Sequence, residues 1–154
     1  MIVIAHRALL DGPNVGLENS PKQIRYCLSE GIPCEIDVWY HKDQWWLGHD
    51  KPQYETTLEF LSQDGLWIHC KNLDALSLLR EEGIHCFWHQ EDDFTLTSQG
   101  YIWTYPGKEL TRYSVQVMPE WQDKNLKNIN STCFGICSDY VERIKAIMPS
   151  DQSH

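Results

Sequence analysis

Basic side chains are in short supply: 13 Lys and Arg against 22 Asp and Glu leave a formal net charge of −9. That balance argues against a nucleic-acid ligand and against an electrostatic grip on an anionic membrane surface. It still allows a small anionic ligand, because a few local cations can reverse the sign inside one pocket. Long apolar runs are missing too, and none approaches the roughly 18 residues that a membrane-spanning helix needs. The chain has no internal repeat, no linker and no low-complexity stretch. The cysteines, at 27, 34, 70, 86, 133 and 137, lack the spacing of a metal clip: Cys133 and Cys137 form a C-x3-C without a second pair, which argues against structural zinc. There is no secretory pattern at the start, and several cysteines fall inside apolar strand-like runs. Free thiols in a reducing cytoplasm are therefore expected.

What is present describes a packed domain. The chain is 42% apolar and carries seven Trp and seven Tyr, too many for general disorder. A chain of this length buries roughly two thirds of its unfolded surface. One domain over 1–148 is expected, with a frayed tail at 149–154. IVIAHR at 2–7 reads as a strand with Ile2, Ile4 and His6 on one face. Ser20-Pro21 supplies an N-cap and first-turn pair for a helix to about Glu30, ended by Gly31. PCEIDVWY and WWLGHD read as a strand and hairpin, and Thr56 or Thr57 opens a short helix to Leu61. LWIHCK at 66–71 reads as a strand with Trp67, His69 and Lys71 on one face, and Asn72 or Asp74 starts an amphipathic helix ended by Gly83. Strands are expected at 85–90, 101–107, 114–121 and 133–140, and a last helix at about 140–147. The stretch EDDFTLTSQG is too polar and Thr-rich for a helix. Alternating strands and helices favour a parallel barrel or an open α/β layer.

The richest stretch is EIDVWYHKDQWWLGHD at 35–50. Glu35 and Asp37 are two apart on a strand, so both carboxylates point to one face. Either that face is solvated, or something positive sits between them, and a divalent cation is the usual answer. VWY and WWLG flank the polar turn HKDQ. A hairpin centred on Asp43 pairs residues whose numbers sum to about 86, which sets Asp37 opposite His49. With His6 and Arg7 from the first strand, a metal, two histidines and an arginine would share one end of the sheet. That is the equipment of phosphate ester chemistry.

IAHR, then LENS, EIDV, a short turn and GHD, in this order and at these spacings, resemble the glycerophosphodiester phosphodiesterase family, whose pattern is HRG, ENT, ExDV, a turn and HD. The wider group includes phosphatidylinositol-specific phospholipases C and spider-venom phospholipases D. The resemblance is strongest over residues 2–50. It continues through TTLEFL and LWIHCK, where the family has a strand ending in ExK, to GICSDY, which is similar to the family's closing G-x-x-T-D. The chain departs from the pattern in three places. HRG is His6-Arg7-Ala8; the ExK stretch is His69-Cys70-Lys71; and 154 residues is short for a family fold of typically about 250. The resemblance therefore implies an α/β, compact TIM-barrel-like fold with trimmed loops and missing helices.

The resemblance also implies roles. Glu35, Asp37 and, in place of a third carboxylate, His69 would ligate Mg²⁺ or Ca²⁺, with a histidine ligand tilting the choice toward Mn²⁺ or Zn²⁺. His69 can equally be a packing residue. His6 and His49 would carry the two proton transfers, in an order left open, and Arg7 and Lys71 would bind the phosphate. Glu18 would anchor the loop or Arg7 and not bind metal. His89 and Glu91 are pocket residues or a solvated loop start, and Glu120 is likewise ambiguous; Trp103 and Tyr105 read as core aromatics more readily than as substrate platforms. The expected activity is metal-dependent hydrolysis of a small, glycerophosphodiester-like phosphodiester. Two alternatives remain: a non-catalytic relative that binds a phosphorylated metabolite or glycan, and a different metal-dependent sugar-phosphate enzyme.

Overall fold

The structure is a computed structural model and describes residues 1–148, so the expected tail at 149–154 lies outside the described residues. Ten strands form one sheet: β1 (Ile2–His6), β2 (Cys34–His41), β3 (Gln44–Leu47), β4 (Tyr54–Thr56), β5 (Leu66–Cys70), β6 (Cys86–Phe87), β7 (Phe94–Leu96), β8 (Ile102–Thr104), β9 (Ser114–Val117) and β10 (Gly135–Ser138). Four helices are described: α1 (Pro21–Ser29), α2 (Leu58–Leu61), α3 (Leu73–Glu81) and α4 (Val141–Ile147). The helix starts follow the caps: the side chains of Ser20, Thr57 and Asn72 each accept the backbone N–H three residues on.

Parallel pairing runs in the spatial order β6-β5-β2-β1-β10-β9-β8. Apart from β6 and β8, parallel strands consecutive along the chain are neighbours, and the last, β10, lies beside the first. The result is a mixed α/β domain whose sheet curls into a half-barrel. Its seam lies between β6 and β8. There the hairpin strand β7, antiparallel to β8, leads into Ser98, whose N–H donates to the Cys86 carbonyl at 2.9 Å. Side chains alternate across the curled sheet as strand geometry demands. Val3, Ala5, Cys34, Ile36, Val38, Ile68 and Cys70 pack outward with Ile24, Cys27, Ala75, Leu79 and Ile144 of the helices. Ile4, Trp67, Phe87, Trp103, Val115 and Cys137 fill the concave side. Phe87 and Trp103, whose ring centroids are 4.7 Å apart, close the interior behind the seam. All six cysteines are buried free thiols.

Several sequence expectations need correction. The hairpin joining β2 and β3 turns on two residues, Lys42 and Asp43, both with positive φ (52° and 60°), the geometry of a type I′ turn. Its pairs are Val38 with Leu47 and His41 with Gln44, one residue short of the expected register. Asp37 therefore faces Gly48, whose N–H reaches the Asp37 carbonyl at 3.1 Å, and not His49. Gly48 has φ 149°, and a Cβ there would collide with the Lys51 carbonyl, so the chain turns sharply at the hairpin base. The strand expected over 85–90 is reduced to Cys86–Phe87. The strand expected over 114–121 stops at Val117 and gives way to a 3₁₀ turn, Pro119–Trp121. Proline has no N–H for a further ladder bond, and Met118 before it takes φ 48°. Two short strands, β4 and β7, were not expected at all.

Candidate functional site

Strand parity delivers Glu35 and Asp37 to the concave side of β2 and His69 to the same side of β5, where Asp37 and His69 are direct register partners. All three sit at the C-terminal end of the parallel strands. One oxygen of each carboxylate is held by protein donors. Glu35 Oε1 accepts the Arg7 backbone N–H at 3.1 Å, and Asp37 Oδ2 accepts from Asn19 Nδ2 at 2.9 Å. The remaining atoms face one another: His69 Nδ1 lies 3.1 Å from Asp37 Oδ1 and 3.9 Å from Glu35 Oε2. Ligand atoms of the three side chains fall within 4.8 Å of one another, a group able to hold a metal ion.

The His69 ring is fixed from behind. Its Nε2 lies 3.1 Å from the His89 carbonyl, which only accepts, so Nε2 carries a hydrogen. In a neutral ring Nδ1 is then the lone-pair nitrogen, turned toward the carboxylates. A ligating imidazole is usually oriented in this way, by its other N–H on a backbone carbonyl. Without a cation, Nδ1 faces the Asp37 carboxylate and takes a proton as well. Burial opposes that charge on His69, but the hydrogen bond to Asp37 and the charges of Asp37 and Glu35 raise its pKa above the ordinary value. The two carboxylates diverge. Burial and then the charge of Asp37 push Glu35 up to about 7, against His6, His69 and Arg7. Burial also opposes charge on Asp37, yet His69, Asn19 and Arg7 together hold it well below the usual carboxylate range. The cluster thus needs one positive charge, and either a proton or a metal ion can supply it.

His6 closes β1 beside this cluster. Its Nδ1 lies 2.8 Å from Asp139 Oδ1, leaving Nε2 on the pocket side, 3.9 Å from Glu35 Oε1. Burial lowers the His6 pKa, but the bond to Asp139 and the charges of Glu35 and Asp139 outweigh it, and the net shift is upward. Asp139 is itself clamped. Buried Glu120 accepts the Asp139 N–H at 3.0 Å and the Ser138 hydroxyl at 2.8 Å. Arg7 and Ala8 follow His6 with φ of 53° and 64°. The position where the family pattern has glycine is thus a left-handed one, and buried Ala8 tolerates it at a cost of about 1 kcal/mol. Arg7 Nη1 donates to Glu18 at 3.3 Å, as expected, and its Nε is buried without a hydrogen-bond partner, 3.7 Å from Asp37 Oδ2.

His6, Arg7, Glu35, Asp37, His49, His69 and His89 all line one pocket of about 290 Å³. His49 reaches it from the loop after β3, with Nδ1 2.8 Å from the exposed Asp50 carboxylate. Lys71 follows His69 past the end of β5, close enough that its charge disfavours the charged forms of His69 and His89. Burial is the larger cause of the lowered His89 pKa. The opposite wall includes Trp103, Tyr105 and Trp121. Tyr105 is therefore a rim residue and not a core aromatic. Gln90 and Asp92 line the wall where Glu91 was considered. Glu120 turns from this pocket toward Asp139.

Three positioning residues escaped the sequence reading. Asn19 is fully buried at φ 58°, takes the Asp37 N–H at 2.9 Å on its Oδ1 and donates to the Asp37 carboxylate. Its signal was in LENS, beside Glu18. Asp139 lay in GICSDY without an assigned partner, and Glu120, weighed after Pro119 as a pocket residue or a solvated one, instead holds Asp139. No family model, no curated protein and no solved structure matches this chain.

Proposed function

We propose that this chain is a metal-dependent phosphodiester hydrolase of the glycerophosphodiester phosphodiesterase type, with a compact TIM-barrel-like fold, trimmed on its β8–β10 side, and a small glycerophosphodiester-like substrate. The observation that carries this reading is the shared pocket: His6 and His49, each with a carboxylate on Nδ1, stand with Arg7 around the Glu35–Asp37–His69 cluster. Glu35, Asp37 and His69 would hold the cation, and the His69–His89 bond fits a ligating imidazole. When bound, a divalent ion such as Mg²⁺ or Ca²⁺, or Mn²⁺ or Zn²⁺ given the imidazole, supplies Lewis-acid stabilisation of charge developing on the phosphoryl oxygens.

The residues divide the remaining work. The guanidinium of Arg7, with an unpartnered Nε, neutralises a non-bridging phosphate oxygen. One imidazole accepts the proton of the attacking hydroxyl, from water or a neighbouring substrate alcohol, as its oxygen bonds to phosphorus. The other imidazolium donates a proton to the leaving alkoxide as the second P–O bond breaks. Asp139 holds His6 in the tautomer with Nε2 toward the pocket, and Asp50 does the same for His49. Free buried thiols support a reducing, cytoplasmic setting. No described helix is long and apolar enough to cross a membrane.

Hydrolysis of bis(p-nitrophenyl) phosphate with and without Mg²⁺, Mn²⁺ or Ca²⁺ tests the reading. Metal-dependent release of p-nitrophenol that disappears in His6→Ala supports it. A non-catalytic binder is the second reading, favoured by the ability of a His69 imidazolium to neutralise the carboxylates unaided. Phosphodiester binding with no turnover under any metal would select it.

A further inference from the structure

Half of the pocket wall has no part in the chemistry above, and it is built differently. Trp121 is 63% exposed and Tyr105 47% exposed, and both are among the residues that line the pocket. Single exposed aromatics are ordinary. Trp121, however, stands on an unusual mount. β9 ends at Val117 and is followed by Met118, a buried non-glycine residue at φ 48°, a backbone state that costs about 1–2 kcal/mol. The left-handed residue redirects the chain into the 3₁₀ turn Pro119–Trp121. Such strain persists only where the surroundings fix it, and here they do. The Met118 N–H donates to the Cys137 carbonyl at 2.7 Å, and the Pro119 carbonyl accepts from Asn128 Nδ2 at 3.0 Å. Glu120 takes the Ser138 hydroxyl and the Asp139 N–H. The turn therefore sets a buried residue beside an exposed one: Glu120 grips the end of β10, and Trp121 lines the pocket. The Glu120 clamp also carries Asp139, hence His6, so the indole and the reacting imidazole are held in register by one device.

Gln90 and Asp92, both polar, line the same pocket. A rigid aromatic face with hydrogen-bonding groups beside it suits a ligand with a flat-faced ring and a polar edge. A linear glycerol chain offers no such face. We propose that Trp121, with Tyr105, is a specificity platform for a ring-bearing alcohol of the phosphodiester, whose ring stacks on the indole while the phosphate lies at Arg7. This rests on the phosphate-site reading above. The ring can be a nucleobase or a sugar, because both present a flat face and a polar edge.

Calorimetric titration of three metal-supplemented ligands tests it: dimethyl phosphate, the methyl ester of thymidine 5′-phosphate, and the methyl ester of glucose 6-phosphate. At least one ring-bearing ester should bind about tenfold or more tighter than dimethyl phosphate, within the range of base–aromatic stacking. Trp121→Ala should remove that advantage while leaving dimethyl phosphate binding unchanged, and Trp121→Phe should keep most of it. Preference for the thymidine ester alone, or for the glucose ester alone, names the ring. Equal binding of all three, no binding of any, or a ring preference that survives Trp121→Ala overturns the proposal. Turnover of bis(p-nitrophenyl) phosphate, measured separately, decides the hydrolase reading. Ring preference without turnover sinks the hydrolase and keeps the platform; turnover without ring preference does the reverse.

Discussion

At the scale of single residues, the site depends on which atoms are already committed. Asp37 is the hub, with Asn19 on its backbone and one oxygen and His69 on the other. Asn19→Ala should destabilise the protein by about 3 kcal/mol, because it strips a buried carboxylate of a donor and a buried N–H of its acceptor. Urea denaturation measures this, and a loss under about 1 kcal/mol would show that water replaces the amide. Asp37→Asn should abolish any rise in melting temperature on adding millimolar Mg²⁺, Ca²⁺, Mn²⁺ or Zn²⁺, since the stabilisation grows with the logarithm of metal over its dissociation constant. No shift in the parent protein with any of the four would speak for the non-catalytic reading. His69 separates further: His69→Glu should preserve or tighten Mg²⁺ or Ca²⁺ binding by supplying the third carboxylate, while His69→Ala weakens it. If both leave metal affinity alone and only lower stability, His69 is a packing residue.

At the scale of elements, the β2–β3 hairpin sets which side chains reach the pocket. Its turn places Lys42 and Asp43 at positive φ, where neither is the favoured residue. Replacing the pair by Asn-Gly should stabilise the protein by about 1 kcal/mol without altering register, read as a higher urea midpoint at unchanged slope. The loop after β1 makes the opposite demand. Ala8 is fully buried at φ 64°, so Ala8→Val should cost several kcal/mol, about 3 or more, through a β-branched side chain in a left-handed, packed position. A stable Ala8→Val protein would mean that the HR turn relaxes more easily than its packing indicates.

At the scale of the whole molecule, the seam between β6 and β8 is where strand pairing is interrupted. His85 spans it, with Nε2 2.8 Å from the Thr97 hydroxyl and its ring 4.4 Å from that of Trp67. Burial pushes its pKa down to about 4. The unfolded chain binds the proton near pH 6.5 and the folded protein only near pH 4, so the neutral ring's contribution is whole above 6.5. It falls away as pH drops toward 4, by about 3 kcal/mol. His85→Gln should flatten that limb of the stability–pH profile. An unchanged profile would place the acid sensitivity elsewhere.

The sequence by itself determined the helix starts, through Ser20, Thr57 and Asn72, and the face shared by Glu35 and Asp37. Both are matters of local chemistry: a cap needs only the next turn, and strand alternation needs only its own period. It also held the full set of pocket histidines, because they fall at strand ends that apolar runs make visible. The rest depended on tertiary structure. The hairpin register turned on the φ of two residues, and a shift of one exchanged His49 for Gly48 opposite Asp37. The short strand β7, Phe94-Thr95-Leu96, pairs with the edge that β8 offers it, and the polar residues around it hid that pairing. Asn19, Glu120 and Asp139 became positioning residues only when segments 18 to 133 positions apart met. A hydrogen bond between distant segments leaves no periodic trace in the chain, so only the folded arrangement could reveal which polar residues hold the site and which merely face water.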